Sequence, residues 1–277
     1  MQLSIQHTTQ YIYSDPLNYS IQQLKLTPHD GFGQRVKNWS ISVNGQLSQH
    51  QDTYGNIVHT MVLDGNHSEI KLVAKGEVET GLPIKANEER LPLPIFLRNT
   101  ALTEIDSEMM AFSQPFGALR SIADLEKLSA AIIEKVPYVK GATGVYTTAP
   151  QAFSAGTGVC QDHAHIFIAC CRSLGTPARY VSGYLFTDDG HLLESHAWAD
   201  AWLDGIGWVS VDVSNRCLAD SAHVRLATGL DYRDACPVSG VRVGGGMETM
   251  DVGVNVWRLG DEGKTRDLRK QIEQAQQ

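Results

Sequence analysis

A chain of 277 residues, 42% hydrophobic and 19% charged, has the composition of an ordinary globular protein and is long enough to bury one large or two smaller cores. Its formal net charge of −8, with no dense lysine and arginine stripe, argues against nucleic acid or an anionic membrane surface as the main partner. No apolar run of about 18 residues predicts a membrane span, and Met1-Gln-Leu-Ser-Ile-Gln-His7 lacks the basic and apolar pattern of a secretory leader, so the cytoplasm is the default expectation.

The first 80 or so residues alternate with period two. Leu3, Ile5, His7, Thr9 and Tyr11 share one parity, and Trp39, Ile41 and Val43 repeat the pattern before the hairpin-type turn Asn44-Gly45. Ile57 to Leu63 and Ile70 to Val78 read as two further strands divided by Asp64-Gly65-Asn66. Short strands at this spacing predict an antiparallel β-sandwich over residues 1–90. Leu91-Pro-Leu-Pro-Ile95 reads as a stiff extended connector at the domain boundary.

Beyond it the period changes. Ile122, Leu125, Leu128, Ile132 and Ile133 follow helical spacing up to Pro137. Gln161 to Leu174, with its unbroken apolar run Ile166 to Cys171, predicts a buried helix, stopped by Gly175 and Pro177. Arg179 to Phe186 reads as a strand closed by Thr187-Asp-Asp-Gly190. His196 to Trp202 and Trp208 to Val213 read as two more, and Val252, Val254 and Val256 as a last one. The fold class is therefore α+β, with a second domain over 91–260. A charged, glutamine-rich tail follows over 261–277, either a solvated helix or disordered.

Five cysteines, an odd count without Cys-x-x-Cys, argue for reduced thiols rather than a disulfide framework or zinc ribbon. Cys170 and Cys171 fall mid-helix and read as core filler. Cys160 differs, because it follows Gly156 and Gly158 at the predicted helix start. First-turn amides there lack intrahelical partners, and the helix dipole adds about half a positive charge. Both favour a thiolate, and the same amides can serve an oxyanion.

A nucleophilic cysteine needs a base and a group that orients it. His196 opens one predicted strand and Asp212 closes the next. Their numbers sum to an even value, so in an antiparallel hairpin they share a face only if the connecting loop holds an odd number of residues or a bulge corrects the register. The residues predict such a loop within Leu203-Asp-Gly-Ile-Gly207. A regular four-residue turn would put the two side chains on opposite faces.

Gly158-Val-Cys-Gln-Asp162, Pro177-Ala-Arg-Tyr-Val-Ser-Gly-Tyr184, Ser195-His-Ala-Trp198, Gly207-Trp208 and Asp212 resemble the transglutaminase-like superfamily of papain-like cysteine enzymes. Tyr11-Ile-Tyr13 and Leu24-Lys-Leu-Thr-Pro28 resemble the N-terminal β-sandwich of its bacterial members. His223-Val-Arg-Leu-Ala227, Asp231-Tyr232 and the glycine-rich Gly244 to Thr249 stretch resemble the C-terminal extension. His163 stands where an aromatic is common, and Asp212-Val-Ser replaces the frequent Asp-Pro-Thr.

The resemblance implies a papain-like catalytic domain with Cys160 as nucleophile, His196 as base and acid, and Asp212 as orienter. Gln161, Tyr146, Tyr184 and Trp198 are candidates for the oxyanion site or cleft, with Trp202 a further possible wall. The expected chemistry is thiol-dependent acyl transfer on peptide or glutamine amides through a thioester. Hydrolysis is favoured because water needs no dedicated acceptor site, with a protein-glutamine transglutaminase and a non-catalytic scaffold as alternatives. The expected partner is a protein or peptide substrate, and no cofactor or metal is called for. A rival metallohydrolase reading would use Cys160, His163, His165 and His196, since His163 falls one helical turn from Cys160.

Overall fold

The computed structural model describes residues 1–84, 90–187 and 195–260. Four strands, β1 (Gln2–Thr27), β2 (Gln34–Val43), β3 (Gln46–Gln51) and β4 (Ile57–Thr80), build the N-terminal sheet. β1 and β4 run antiparallel from Gln2 opposite Glu79 to Thr27 opposite Ile57. Asp64-Gly65-Asn66 does not divide two strands, as the sequence suggests. It lies where the pairing shifts register, opposite the segment of β1 between Leu17 and Tyr19. Pro16, which has no N–H to give to a ladder, adjoins the shift in β1. β2 pairs with the second half of β4 and β3 with the first half.

The middle of the chain holds α1 (Ser107–Ser113), α2 (Ile122–Lys135), α3 (Ala149–Ala155) and α4 (Cys160–Ser173). Leu93–Leu97 forms a 3₁₀ turn rather than the extended connector expected, and Phe96 packs edge-on against Trp208 at 5.1 Å. α2 starts at a reciprocal cap between Ser121 and Asp124. A second sheet follows: β5 (Ala178–Leu185), β6 (His196–Leu203), β7 (Gly207–Asp212), β8 (Cys217–Leu218) and β9 (His223–Gly229), in the order β8-β7-β6-β5-β9. The short α5 (Tyr232–Ala235) comes next.

The two parities of β6 and β7 separate as their residues require. Ala197, Ala199, Ala201 and Leu203, with Val209, Val211 and Val213, join Ile166, Ala169 and Cys170 of α4 in one hydrophobic cluster. Small alanines let the helix lie close to the sheet. The other parity carries a buried carboxylate: Asp200 accepts from Arg179 at 2.9 Å, Arg225 at 2.8 Å and Ser210 at 2.6 Å. At the far end of α4, the buried Arg172 guanidinium donates to the carbonyls of Phe96, Ala178 and Leu230 and to Thr103 Oγ1. It thereby ties the connector, β5 and the segment before α5 to the helix.

The chain then returns to the first sheet. β10 (Val238–Gly244) pairs with Leu17–Leu24 of β1, and β11 (Glu248–Arg258) pairs with Leu3–Tyr13. The extension that sequence reading placed with the second domain thus completes the N-terminal sheet. Each half of β1 and β4 becomes the centre of a four-stranded leaf, β11-β1-β4-β2 and β10-β1-β4-β3. Leu3 and Leu72 from one leaf and Leu24 and Met61 from the other share a single cluster, which is how the expected sandwich is realised.

β9 is an edge strand, and side-chain amides from the N-terminal sheet region satisfy it. Gln34 pairs its amide with the main-chain N–H and C=O of Arg225 at 2.8 and 2.9 Å, and Asn56 does the same with Thr228 at 2.8 and 2.7 Å. The boundary expected near residue 91 adjoins residues 85–89, and both those residues and the 261–277 tail lie outside the described residues.

Gly183 supplies a prediction. A Cβ there would stand 2.2 Å from the Val224 carbonyl and 2.5 Å from the Trp198 ring. Gly183→Ala should therefore cost about 2 kcal/mol or more through overpacking, read as a lower thermal midpoint by circular dichroism. An unchanged midpoint would show that the contact is not a real constraint.

Candidate active site

Local sequence places Cys160 at the first helical position of α4. α3 ends at Gly156, whose φ of 66° is the left-handed conformation of a helix stop. Three residues later Val159 caps α4, and the Asp162 carboxylate accepts from the Val159 N–H at 2.8 Å and from the Thr143 hydroxyl. Helical hydrogen bonding begins with His163 N–H to Val159 C=O, so the amides of Cys160, Gln161 and Asp162 precede the ladder. Cys160 is partly exposed.

The hairpin has the geometry the parity argument demanded. Leu203 opposes Gly207 and Ala199 opposes Val211, which leaves a three-residue loop, Asp204-Gly205-Ile206. Gly205 and Gly207 take φ values of 79° and 97°, which suit glycine. With this register His196 and Asp212 share a face, and His196 Nε2 lies 2.7 Å from Asp212 Oδ2. Cys160 stands beside the same ring, near enough to contribute a hydrogen bond and Coulomb attraction to its titration. Burial opposes charging of His196, but Asp212 and Cys160 outweigh it and raise its pKa to about 10. Burial also works against the Asp212 carboxylate, yet His196, His223 and Asn215 hold its pKa well below the usual range. The geometry favours a ring that keeps its proton between sulfur and carboxylate.

Other expected site residues fall in different places. Trp198 is buried beneath the site, its ring 6.1 Å from His196 and 5.3 Å from His223. Gln161 donates its side-chain amide to the Val145 carbonyl at 3.0 Å. That bond uses one of the two amide hydrogens and holds the loop carrying the exposed Tyr146 against the first turn of α4. Tyr184 is not a cleft residue. It is fully buried in the core of the N-terminal sheet, with its hydroxyl 2.9 Å from His7 Nδ1. Trp202 sits at the loop end of β6 against Trp208 at 5.5 Å, away from His196 at the strand's start.

The rival metal set does not assemble. His163 spends both ring nitrogens, on Ser214 Oγ and the Val136 carbonyl, each at 2.8 Å. His165 is fully buried; its Nε2 accepts from Tyr232 N–H at 3.2 Å, and burial pushes its pKa down to about 3. One donor atom from each of His196, Asp212 and His223 does lie within 4.8 Å of the others, but both imidazoles hydrogen-bond to Asp212 Oδ2.

Sequence reasoning missed two partners of Asp212. Asn215 donates its side-chain amide to Oδ2 at 2.7 Å and its backbone N–H to Oδ1 at 3.2 Å. The spacing Asp212-x-x-Asn215 at a strand end is a turn signal that could have found it. His223 Nε2 stands 3.0 Å from Oδ2, and no local pattern connects it to Asp212.

A helix-borne thiol meeting an imidazole and a carboxylate at the ends of adjacent antiparallel strands places the protein in the papain-like α+β class. Residues 111–213 match the model of the transglutaminase-like superfamily, and residues 3–79 match that of the bacterial transglutaminase-like N-terminal region. The matches define a transglutaminase-like core preceded by the N-terminal domain of bacterial transglutaminase-like proteins. An uncharacterized protein of Mycobacterium leprae is 28% identical over 284 residues, covering 93% of this chain and 99% of that one. A protein-glutamine gamma-glutamyltransferase of Pseudomonas aeruginosa is 25% identical over 179 residues, 60% of this chain and 26% of that protein. The crystal structure of a candidate cysteine protease from Cytophaga hutchinsonii has the same fold, with a TM-score of 0.77 at 21% identity, over 94% of this chain and 91% of that one.

Proposed function

We propose that the protein performs thiol-dependent acyl transfer on peptide or glutamine side-chain amides, with water as the acceptor. The observation that carries this reading is the contact of His196 with Asp212 at 2.7 Å while Cys160 meets the same ring at the start of α4. In the first step Cys160 sulfur attacks the amide carbonyl, and first-turn amides of α4 receive the developing oxyanion. His196 gives its proton to the departing amine as the carbon–nitrogen bond breaks, leaving a thioester. In the second step the neutral ring takes a proton from water, whose oxygen displaces the sulfur, and the carboxylic acid leaves. Asp212 keeps Nε2 of His196 as a donor throughout and so directs Nδ1 toward sulfur.

Hydrolysis fits a site whose sulfur and imidazole are both partly exposed, because water reaches them without a built acceptor pocket. The similarity to a gamma-glutamyltransferase supports a second reading, in which a primary amine resolves the same thioester. The intact hydrogen-bonded set around Asp212 speaks against a degenerate scaffold. The substrate on this reading is a protein or peptide. Among the described residues no helix is long and apolar enough to cross a membrane. All five cysteines are unpaired, which fits the reducing cytoplasm.

Incubation with a glutamine-bearing peptide, with and without an added primary amine, tests the choice. Ammonia release or backbone cleavage that does not need the amine is the expected result. Amine incorporation would move the assignment to transglutamination. No reaction with any arm, using protein whose Cys160 still reacts with a thiol probe, would count against amide chemistry altogether.

A further inference from the structure

Asp212 carries one more imidazole than the proposed reaction uses. His223 opens β9, lies beyond the matched core segment that ends at residue 213, and brings Nε2 to 3.0 Å from Asp212 Oδ2. The backbone N–H of Asp220 donates to Nδ1 of the same ring at 3.1 Å. That bond needs a lone pair on Nδ1 and leaves Nε2 as the nitrogen that donates to the carboxylate. The Asp220 carboxylate also stands 3.2 Å from Nδ1. Trp198 braces the ring edge-to-face at 5.3 Å.

A carboxylate turns freely about its last torsion, which is broad and roughly two-fold. With His196 as its sole partner, Asp212 could rotate and carry the ring out of line with sulfur. Here Oδ2 accepts from His196 at 2.7 Å, Asn215 at 2.7 Å and His223 at 3.0 Å, from three different chain segments. Asn215 sits in the turn that follows Asp212, whereas His223 reaches in from β9 across the sheet. His163 and Cys217 also feel the Asp212 charge.

We propose that His223 is a positioning residue for the Cys160–His196–Asp212 set: its Nε2–H pins the Asp212 carboxylate so that Oδ2 stays in line with the His196 ring. The inference rests on the acyl-transfer reading above, but it can fail separately.

The test compares His223→Leu, which removes the donor, with His223→Gln, whose amide can restore it. The readout is the rate of Cys160 alkylation by iodoacetamide from pH 5 to 9, followed by peptide mass spectrometry. The ring borders a cavity of about 430 Å³ lined also by Phe32, Trp208 and Arg225, so either side chain has room. His223→Leu should slow alkylation at neutral pH about tenfold, the effect of one charge-assisted hydrogen bond, and His223→Gln should recover most of it. In an Asp212→Asn background the leucine variant should have little further effect. Histidine ¹⁵N spectra of the wild-type protein should place the His223 proton on Nε2.

Wild-type alkylation by His223→Leu, no recovery with glutamine, full additivity with Asp212→Asn, or a proton on Nδ1 would each overturn the proposal. His196→Ala, run in parallel, separates the two failures. If it is slow while His223→Leu is not, only this inference falls. If both react like wild type, the acyl-transfer reading falls with it.

Discussion

His196→Ala is expected to slow alkylation of Cys160 at neutral pH by about a hundredfold, the lower range for loss of a positioned acid–base group. In the wild-type protein Cys160 should also outpace the other four thiols. Cys170 and Cys171 are fully buried, and burial raises both, Cys170 to about 12. Burial and the nearby carboxylates of Asp212 and Asp220 push the Cys217 thiol up to about 11, although it is exposed. Burial likewise raises Cys236. The comparison of Cys160 with Cys217 is therefore decisive: two accessible thiols, one beside an imidazole that keeps its proton to about 10 and one beside carboxylates. Equal labelling of the two, or a His196→Ala rate like that of wild type, would remove the activated thiol from the account.

The second large effect concerns stability. Asp200 is fully buried and accepts from Arg179, from both terminal nitrogens of Arg225 and from Ser210. The Arg225 guanidinium lies 4.3 Å from the Phe32 ring centre and that of Arg179 lies 4.1 Å from the Trp208 ring centre, so neither cation can easily turn out to water. Asp200→Ala would remove the carboxylate that two buried guanidinium groups share, at a cost of about 3–5 kcal/mol. For a chain of this size that should lower the thermal midpoint by about 10 °C. Burial opposes the charged carboxylate, but the two guanidinium groups hold its pKa well below the ordinary carboxylate range. The stabilisation is thus fully present above the unfolded-state value near 4 and is lost only as pH falls below it toward the folded-state value. A midpoint within a degree or two of wild type would show that the cluster is not what holds β5, β6 and β9 in place.

Which parts of this were legible in the sequence follows from the range of the interactions. The parity of His196 and Asp212 was readable, because alternation along a strand is local and demands an odd loop, here Asp204-Gly205-Ile206. The α4 start at Cys160 was readable from the preceding glycines and the apolar run. α1 and α3 were missed because seven residues hold too little of a 3.6 period to register, although Asp106 and the Thr148/Gln151 pair are ordinary caps. The pairing of β11 with β1 joins residues 235 to 255 positions apart, from Tyr13 opposite Glu248 to Leu3 opposite Arg258, and no local pattern signals it. The same holds for Tyr184, an aromatic on an apolar strand that meets the N-terminal core rather than the cleft. His223 required the fold, since its partner at Asp212 is set by the strand order and not by spacing.

The most direct measurement is intact and peptide mass spectrometry of the protein after brief incubation with a glutamine-bearing peptide and an acid quench. Covalent acyl transfer predicts an adduct on Cys160 that hydroxylamine removes, as it does a thioester. The mass it adds is that of the peptide less ammonia for side-chain attack, or of the N-terminal fragment acid less water for main-chain attack. Substrate turnover with no adduct on Cys160, or turnover undiminished in Cys160→Ala, would contradict it.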